Sequence, residues 1–257
     1  INTTSNLLST NAFRLTAIGL GLVAAGLTMS PQVFAAGQFN PATSGGDGVA
    51  ISTCTIPTTQ AYAEGSNSIA IGCDADAGKN FNLVDRGNPY YNWNGGLKSD
   101  SGSIAIGSGS KAGDVATALG TQARAEGMSS VAIGPAAYAS KNTSLAIGRQ
   151  SAATADFAQA IGNVSAASGK GSLAIGHSAT ATGYRAIAIG SPDIETAGTA
   201  AEQAGVVYQS VDQTKATKKD SIAFGGGAQA TADNALSIGA FSAASGVKSV
   251  AIGTGAK

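Results

Sequence analysis

Ser172-Leu173-Ala174-Ile175-Gly176-His177-Ser178-Ala179-Thr180-Ala181-Thr182-Gly183 is one clean copy of a pattern that runs through most of this chain. Its apolar triplet closes on a glycine. The same closure recurs at Gly72, Gly107, Gly120, Gly134, Gly148, Gly162, Gly176, Gly190, Gly225, Gly239 and Gly253, in steps of 35, 13, 14, 14, 14, 14, 14, 35, 14 and 14. A fixed period of this length marks a solenoid, a chain wound into stacked, near-identical coils. Such a molecule is a rod with long faces, not a globule around a pocket.

Within each copy the residue before the glycine is Ile, Leu or Phe, and the residue three before is aliphatic except at Thr117 and Gln159. Between them stands Ala in every copy but one, which has Ser237. This alternation predicts a short strand with a branched-apolar face and a small-residue face. Small residues return three and five places after the glycine, as in Ala123 and Ala125, which predicts a second strand. Fourteen residues at about 3.3 Å each give a coil perimeter of roughly 46 Å, a flattened loop with room for one layer of side chains. The expected arrangement puts the Ile/Val/Leu columns inside and leaves the Ala column outside. That Ala stripe is then the self-association surface, since a long apolar stripe is rarely left in water. Glycine is expected at the corner because it enters positive φ without penalty.

Composition narrows the function classes. Only 12% of the 257 residues are charged, Lys+Arg and Asp+Glu are both 15, and no basic patch of the kind nucleic acid requires is present. Residues 1–35 read as a secretory signal: Arg14 is its one charge, residues 15–29 are mostly apolar, and Val33-Phe34-Ala35 offers a cleavage site. Segment 36–48, rich in Gly, Ser, Pro and Thr, reads as a flexible segment or loose cap, and 49–257 as the coiled region. Export predicts a disulfide between Cys54 and Cys73, which fall on adjacent coils near the mature N-terminus; two free thiols or a link between chains are the alternatives.

Both steps of 35 are 14 plus 21, so two coils carry insertions of equal size, about 79–102 and 191–220. Added segments in a solenoid emerge as loops on one face, often the binding face. The first holds Tyr90, Tyr91 and Trp93 among asparagines. Such residues suit stacking on a sugar or gripping a protein; the competing reading lays them down on the roll or on a neighbouring chain. The second, with Val206, Val207 and Tyr208, is a hairpin or a short helix, and its Lys215, Lys218 and Lys219 read as a solvated loop.

Catalytic chemistry finds no foothold. His177 is the only histidine, in a variable position expected to be exposed and unpartnered, and Asp74 and Asp76 are expected to be solvated beside a turn. The glycines follow the 14-residue period and not phosphate-binding spacing. No metal or cofactor is expected. Hexapeptide acyltransferases need a period that is a multiple of six; ice-binding solenoids need a flat Thr array, whereas the threonines here are irregular in sequence. A passive fibre or spacer is the serious rival.

The repeat Ser-Val/Ile/Leu-Ala-Ile-Gly-x-x-Ala/Ser-x-Ala over residues 64–257 closely resembles the head repeats of YadA-like trimeric autotransporter adhesins. The resemblance implies an all-β, left-handed parallel β-roll with 14-residue coils, assembled as a homotrimer on the surface of a Gram-negative outer membrane. It implies nonenzymatic attachment to extracellular matrix protein (collagen, fibronectin or laminin) or to a glycan, together with self-aggregation. Anchoring is expected through a C-terminal region outside this sequence. The family's collagen-associated element is Ser-Val-Ala-Ile-Gly-x-x-Ser. Ser130-Val131-Ala132-Ile133-Gly134 matches its first five positions, while Ser103 with Ser110, and Ser144 with Ser151, supply both serines around Ile or Leu in place of Val. These five serines are therefore candidate ligand residues, over aliphatic positions expected to be buried supports.

Overall fold

In the computed structural model the described residues are 38–41, 49–52, 61–63, 68–78, 102–192 and 212–257. They form a parallel β-solenoid. Each coil has a long strand such as Leu145–Ile147, a turn on the repeat glycine, a short strand such as Ala152–Ala153, and a second turn. Long strands stack into one sheet and short strands into another, 13 and 11 strands among the described residues. Neighbouring coils pair in parallel with a strict shift of one repeat: Leu145 lies between Val131 and Gln159, and Ala153 between Ala139 and Ala167. The stack is held by backbone hydrogen bonds between coils; the Gly148 N–H donates to the Ile133 carbonyl at 2.8 Å and the Leu145 N–H to Ala158 at 2.9 Å. At the N-terminal end Gln38–Pro41 lies antiparallel on Val49–Ser52, so part of the segment read as flexible or a loose cap is a strand on the sheet edge.

The inside of the coil is the reverse of the expected one. Among the described residues every buried apolar residue is an alanine, and the largest fully buried side chain is Thr214. Four columns of small residues fill the interior, represented in one coil by Ser144, Ala146, Ser151 and Ala153, each 0–1% exposed. The Ile/Val/Leu columns point outward: Ile106 is 38%, Ile133 36% and Phe224 52% exposed. Alternation with period 2 reads equally well in either phase, and a choice of phase flips every side chain. The narrow coil decides it, because the space between two strands so tightly joined admits a methyl or hydroxyl and no isobutyl.

The repeat glycines hold φ from +118° to +150°, as expected at the corners. They also touch. A Cβ at Gly134 would sit 2.8 Å from the carbonyl carbon of Gly148, one coil on. Both turns contain a further left-handed residue, and many of these are not glycine. Gln150 and Val164 hold φ near +55° in the first turn, Thr143 and Phe157 in the second.

The two insertions leave the rod at different turns. The first lies between the short strand Asp76–Ala77 and the long strand Ile104–Ile106, and the second between the long strand Ile187–Ile189 and the short strand Lys215–Ala216. The second does not reach residue 220. Lys215 pairs with Thr180 and Gln229 inside the regular stack, and Lys218 and Lys219 form the turn after it.

Candidate interaction surface

Ser103, Ser110, Ser130, Ser144 and Ser151 lie inside the coil, and their hydroxyls close its turns. Ser130 Oγ donates to the Gly127 carbonyl at 2.6 Å, Ser144 to Lys141 at 2.6 Å, Ser110 to Gly107 at 2.8 Å and Ser151 to Gly148 at 2.9 Å. Ser103 reaches Gly113 at 2.6 Å. A serine three residues after a turn carbonyl satisfies an acceptor that the turn would otherwise leave buried, which is why Ser and Ala alternate in these columns. The outward residues of the same motif are the aliphatic ones, which the sequence reading had placed inside.

Tyr90, Tyr91 and Trp93 lie outside the described residues, as does Cys54. Cys73 is disulfide-bonded. His177 is half-buried and partnered: Nδ1 is 3.2 Å from the Asn163 carbonyl, one coil away, and its backbone N–H donates to Ser191 Oγ at 3.1 Å. The expectation that it stands exposed and unpartnered fails because adjacent coils align residues 14 apart. Asp76, expected to be solvated, is 9% exposed between Tyr62 and Lys111 on the short-strand ladder. Among the described residues no cluster of three or more His, Cys, Asp or Glu is placed to hold a metal ion.

What remains is two long faces of different chemistry. The long-strand face carries two outward columns, such as Leu145 and Ile147, with no charged residue in any coil. Eleven coils at about 4.8 Å and three residues at about 3.3 Å make it about 50 Å long and about 10 Å wide. At about 500 Å² this reaches the upper range of apolar patch that a soluble monomer leaves in water.

The short-strand face is polar. Ser140, Thr154, Ser168, Thr182, Thr217, Thr231 and Ser245 follow successive short strands and form one hydroxyl row along seven coils, Ser140 being buried. Thr182 Oγ1 donates to the Thr217 carbonyl at 3.3 Å. Read in sequence, these hydroxyls look irregular, because the insertion interrupts their spacing and Ser alternates with Thr. At the N-terminal end of this row Arg124 packs over the Tyr138 ring at 5.2 Å and pairs with Glu126, while Tyr138 Oη donates to Glu126 Oε2 at 3.1 Å. Burial, then the Glu126 carboxylate, raises the Tyr138 pKa. On the second turn Arg185 forms a two-point ion pair with Asp220 at 2.6 and 2.8 Å, joining the coils on either side of the second insertion. The Arg185 hydrogen bond holds the Asp220 carboxyl below its ordinary range.

Comparison with known families gives one assignment. The family described as YadA head domain repeat matches residues 59–72, 113–137, 139–165, 167–191, 216–242 and 244–257, together just over half of the chain. The matched segments break around both insertions, where the coil pattern itself is interrupted. A search of curated proteins finds no match.

Proposed function

The chain belongs to the YadA head-domain family, and from that premise we propose that it is the head of a trimeric surface adhesin that attaches by multivalent, nonenzymatic contacts. The observation that carries this is the outward aliphatic face. A coil whose buried apolar residues, among those described, are all alanines gains little from its own core, so the outward aliphatic columns are buried only by association. Three chains with these faces turned to a common axis direct the short-strand faces outward. The hydroxyl row, the Arg124–Tyr138–Glu126 cluster and the two insertions are then what a ligand meets. Repeated weak contacts on three equivalent faces give avidity through effective concentration, without one deep pocket. The ligand class is an extracellular matrix protein (collagen, fibronectin or laminin) or a glycan, and the place of action is the cell surface. The five buried serines support the outer surface by fixing the turns. A Cys54–Cys73 bridge locks the first coil.

The test is binding of residues 36–257, held trimeric by a C-terminal coiled coil, to collagens, fibronectin, laminin and glycans. Saturable binding that falls when 79–102 is deleted places the contact in the aromatic insertion. Binding that survives the deletion places it on the coil faces. A folded trimer that binds none of them rejects the adhesive reading in favour of a spacer.

A further inference from the structure

The two outward columns of the long-strand face are apolar in every coil except at Thr117 and Gln159. Gln159 is exposed on the strand Gln159–Ile161, with Leu145 and Leu173 on either side of it in the ladder. Its side-chain amide has no hydrogen-bond partner among the described residues of its own chain. Neither column holds a titratable group, so nothing near Gln159 on this face offers it a charge.

A rod of near-identical coils meets a difficulty that an irregular interface does not. Sliding one copy along another by one coil, about 4.8 Å, restores almost the same apolar contacts. Aliphatic columns therefore supply affinity but select no register. Selection requires a feature that does not repeat every coil and that is costly when misplaced.

We propose that Gln159, seconded by Thr117, sets the axial register between copies of this chain. The proposal rests on the self-association reading above and adds which residue fixes the alignment. The occupant of this face is a second copy. A partner must be straight, uncharged along the contact and corrugated at the same coil spacing for about 50 Å to cover a stripe so long and narrow. Another copy of the chain meets all three conditions.

Under a rotation axis parallel to the rod, the Gln159 residues of all chains stand at one height. Each amide carries two donors and an acceptor, so a ring of them is self-complementary, each donating to the next. After a slip of one coil, Gln159 faces a neighbour's Leu145 or Leu173, and its amide is desolvated without a partner. Thr117 is three coils away, 42 residues earlier in a chain whose intervening steps are all 14. Of all slips, only one of three coils sets Gln159 against Thr117, and that slip leaves each chain's other polar residue against aliphatic side chains. A lone polar residue in an otherwise apolar coiled-coil seam fixes register in the same way.

The experiment is charge complementation read by sedimentation and circular dichroism. Gln159→Glu should assemble when the carboxyl is protonated and dissociate at neutral pH, its association constant falling at least 100-fold, with the β-spectrum retained. Gln159→Lys should likewise fail to self-assemble at neutral pH. Mixing the two should restore oligomers, because opposite charges meet at one height. Mixing Gln159→Glu with Leu173→Lys, one coil out of step, should not. If Gln159→Glu assembles at neutral pH as the natural sequence does, or if the out-of-step mixture rescues as well as the in-step one, the register assignment is overturned. If the unsubstituted chain is itself monomeric at high concentration, it is the self-association reading that fails. Retained β-signal at neutral pH, where Gln159→Glu is dissociated, separates lost assembly from lost folding.

Discussion

Gly134 and Val164 illustrate opposite uses of positive φ. At Gly134, φ is +122° and the next coil's backbone lies where a Cβ would go. Gly134→Ala should therefore cost about 3 kcal/mol, the sum of an unfavourable backbone and a steric conflict that only a spreading of coils relieves. Val164 sits at φ +56°, where a β-branched side chain is strained. Val164→Asn should raise stability by about 1 kcal/mol, because Asn tolerates the left-handed region. Chemical denaturation of both variants checks the pair of signs. The serines obey a similar local rule: an Oγ at the third position past a turn carbonyl serves that carbonyl, so the residue type is set by the turn.

At the level of the element, the long strand is a two-faced unit with unequal tolerance. Ala146 is fully buried and Leu145 faces outward beside it. Ala146→Val should destabilise the chain by about 1–3 kcal/mol through overpacking. Leu145→Ser should leave the folded coil intact and weaken association, which thermal melts at two protein concentrations will separate. The opposite ranking would restore the inverted arrangement expected from sequence. The second-turn pair Arg185–Asp220 holds together the coils that the second insertion interrupts. Because the Asp220 pKa is depressed in the folded chain, its contribution is present above the ordinary carboxylate range and lost as pH falls through the folded value. Asp220→Asn should lower the melting temperature at neutral pH and leave it almost unchanged near pH 2.

For the whole molecule, a thin core and a broad outward apolar face mean that the proposed assembly would add to the stability of a chain that can still fold alone. Stability in a solenoid is close to a sum of coil and coil–coil terms, and on the proposed self-association the apolar share of that sum is completed by other chains. Replacing Ile133 and Ile147 together by Lys should convert the oligomer to monomer and abolish the concentration dependence of the melting temperature, as sedimentation and calorimetry would report. The two insertions interrupt the rod at different turns, the first between Asp76–Ala77 and Ile104–Ile106 and the second between Ile187–Ile189 and Lys215–Ala216.

The repeat carried the solenoid, the two short strands per coil, the glycine corners and the number of inserted residues, because each is fixed by spacing along the chain. The coil's inside was not fixed in that way. A period of two has two phases, and only the closeness of the two strands chooses alanine for the interior and isoleucine for the surface. One clue was present: Gln159 and Thr117 interrupt the aliphatic column while the alanine column never holds more than Ser237, the behaviour of an outer and an inner position. The turn from which each insertion departs, the membership of Lys215 in the stack, the partners of His177 and the hydroxyl row all depend on which residues meet across coils. Those meetings exist only once the chain is wound.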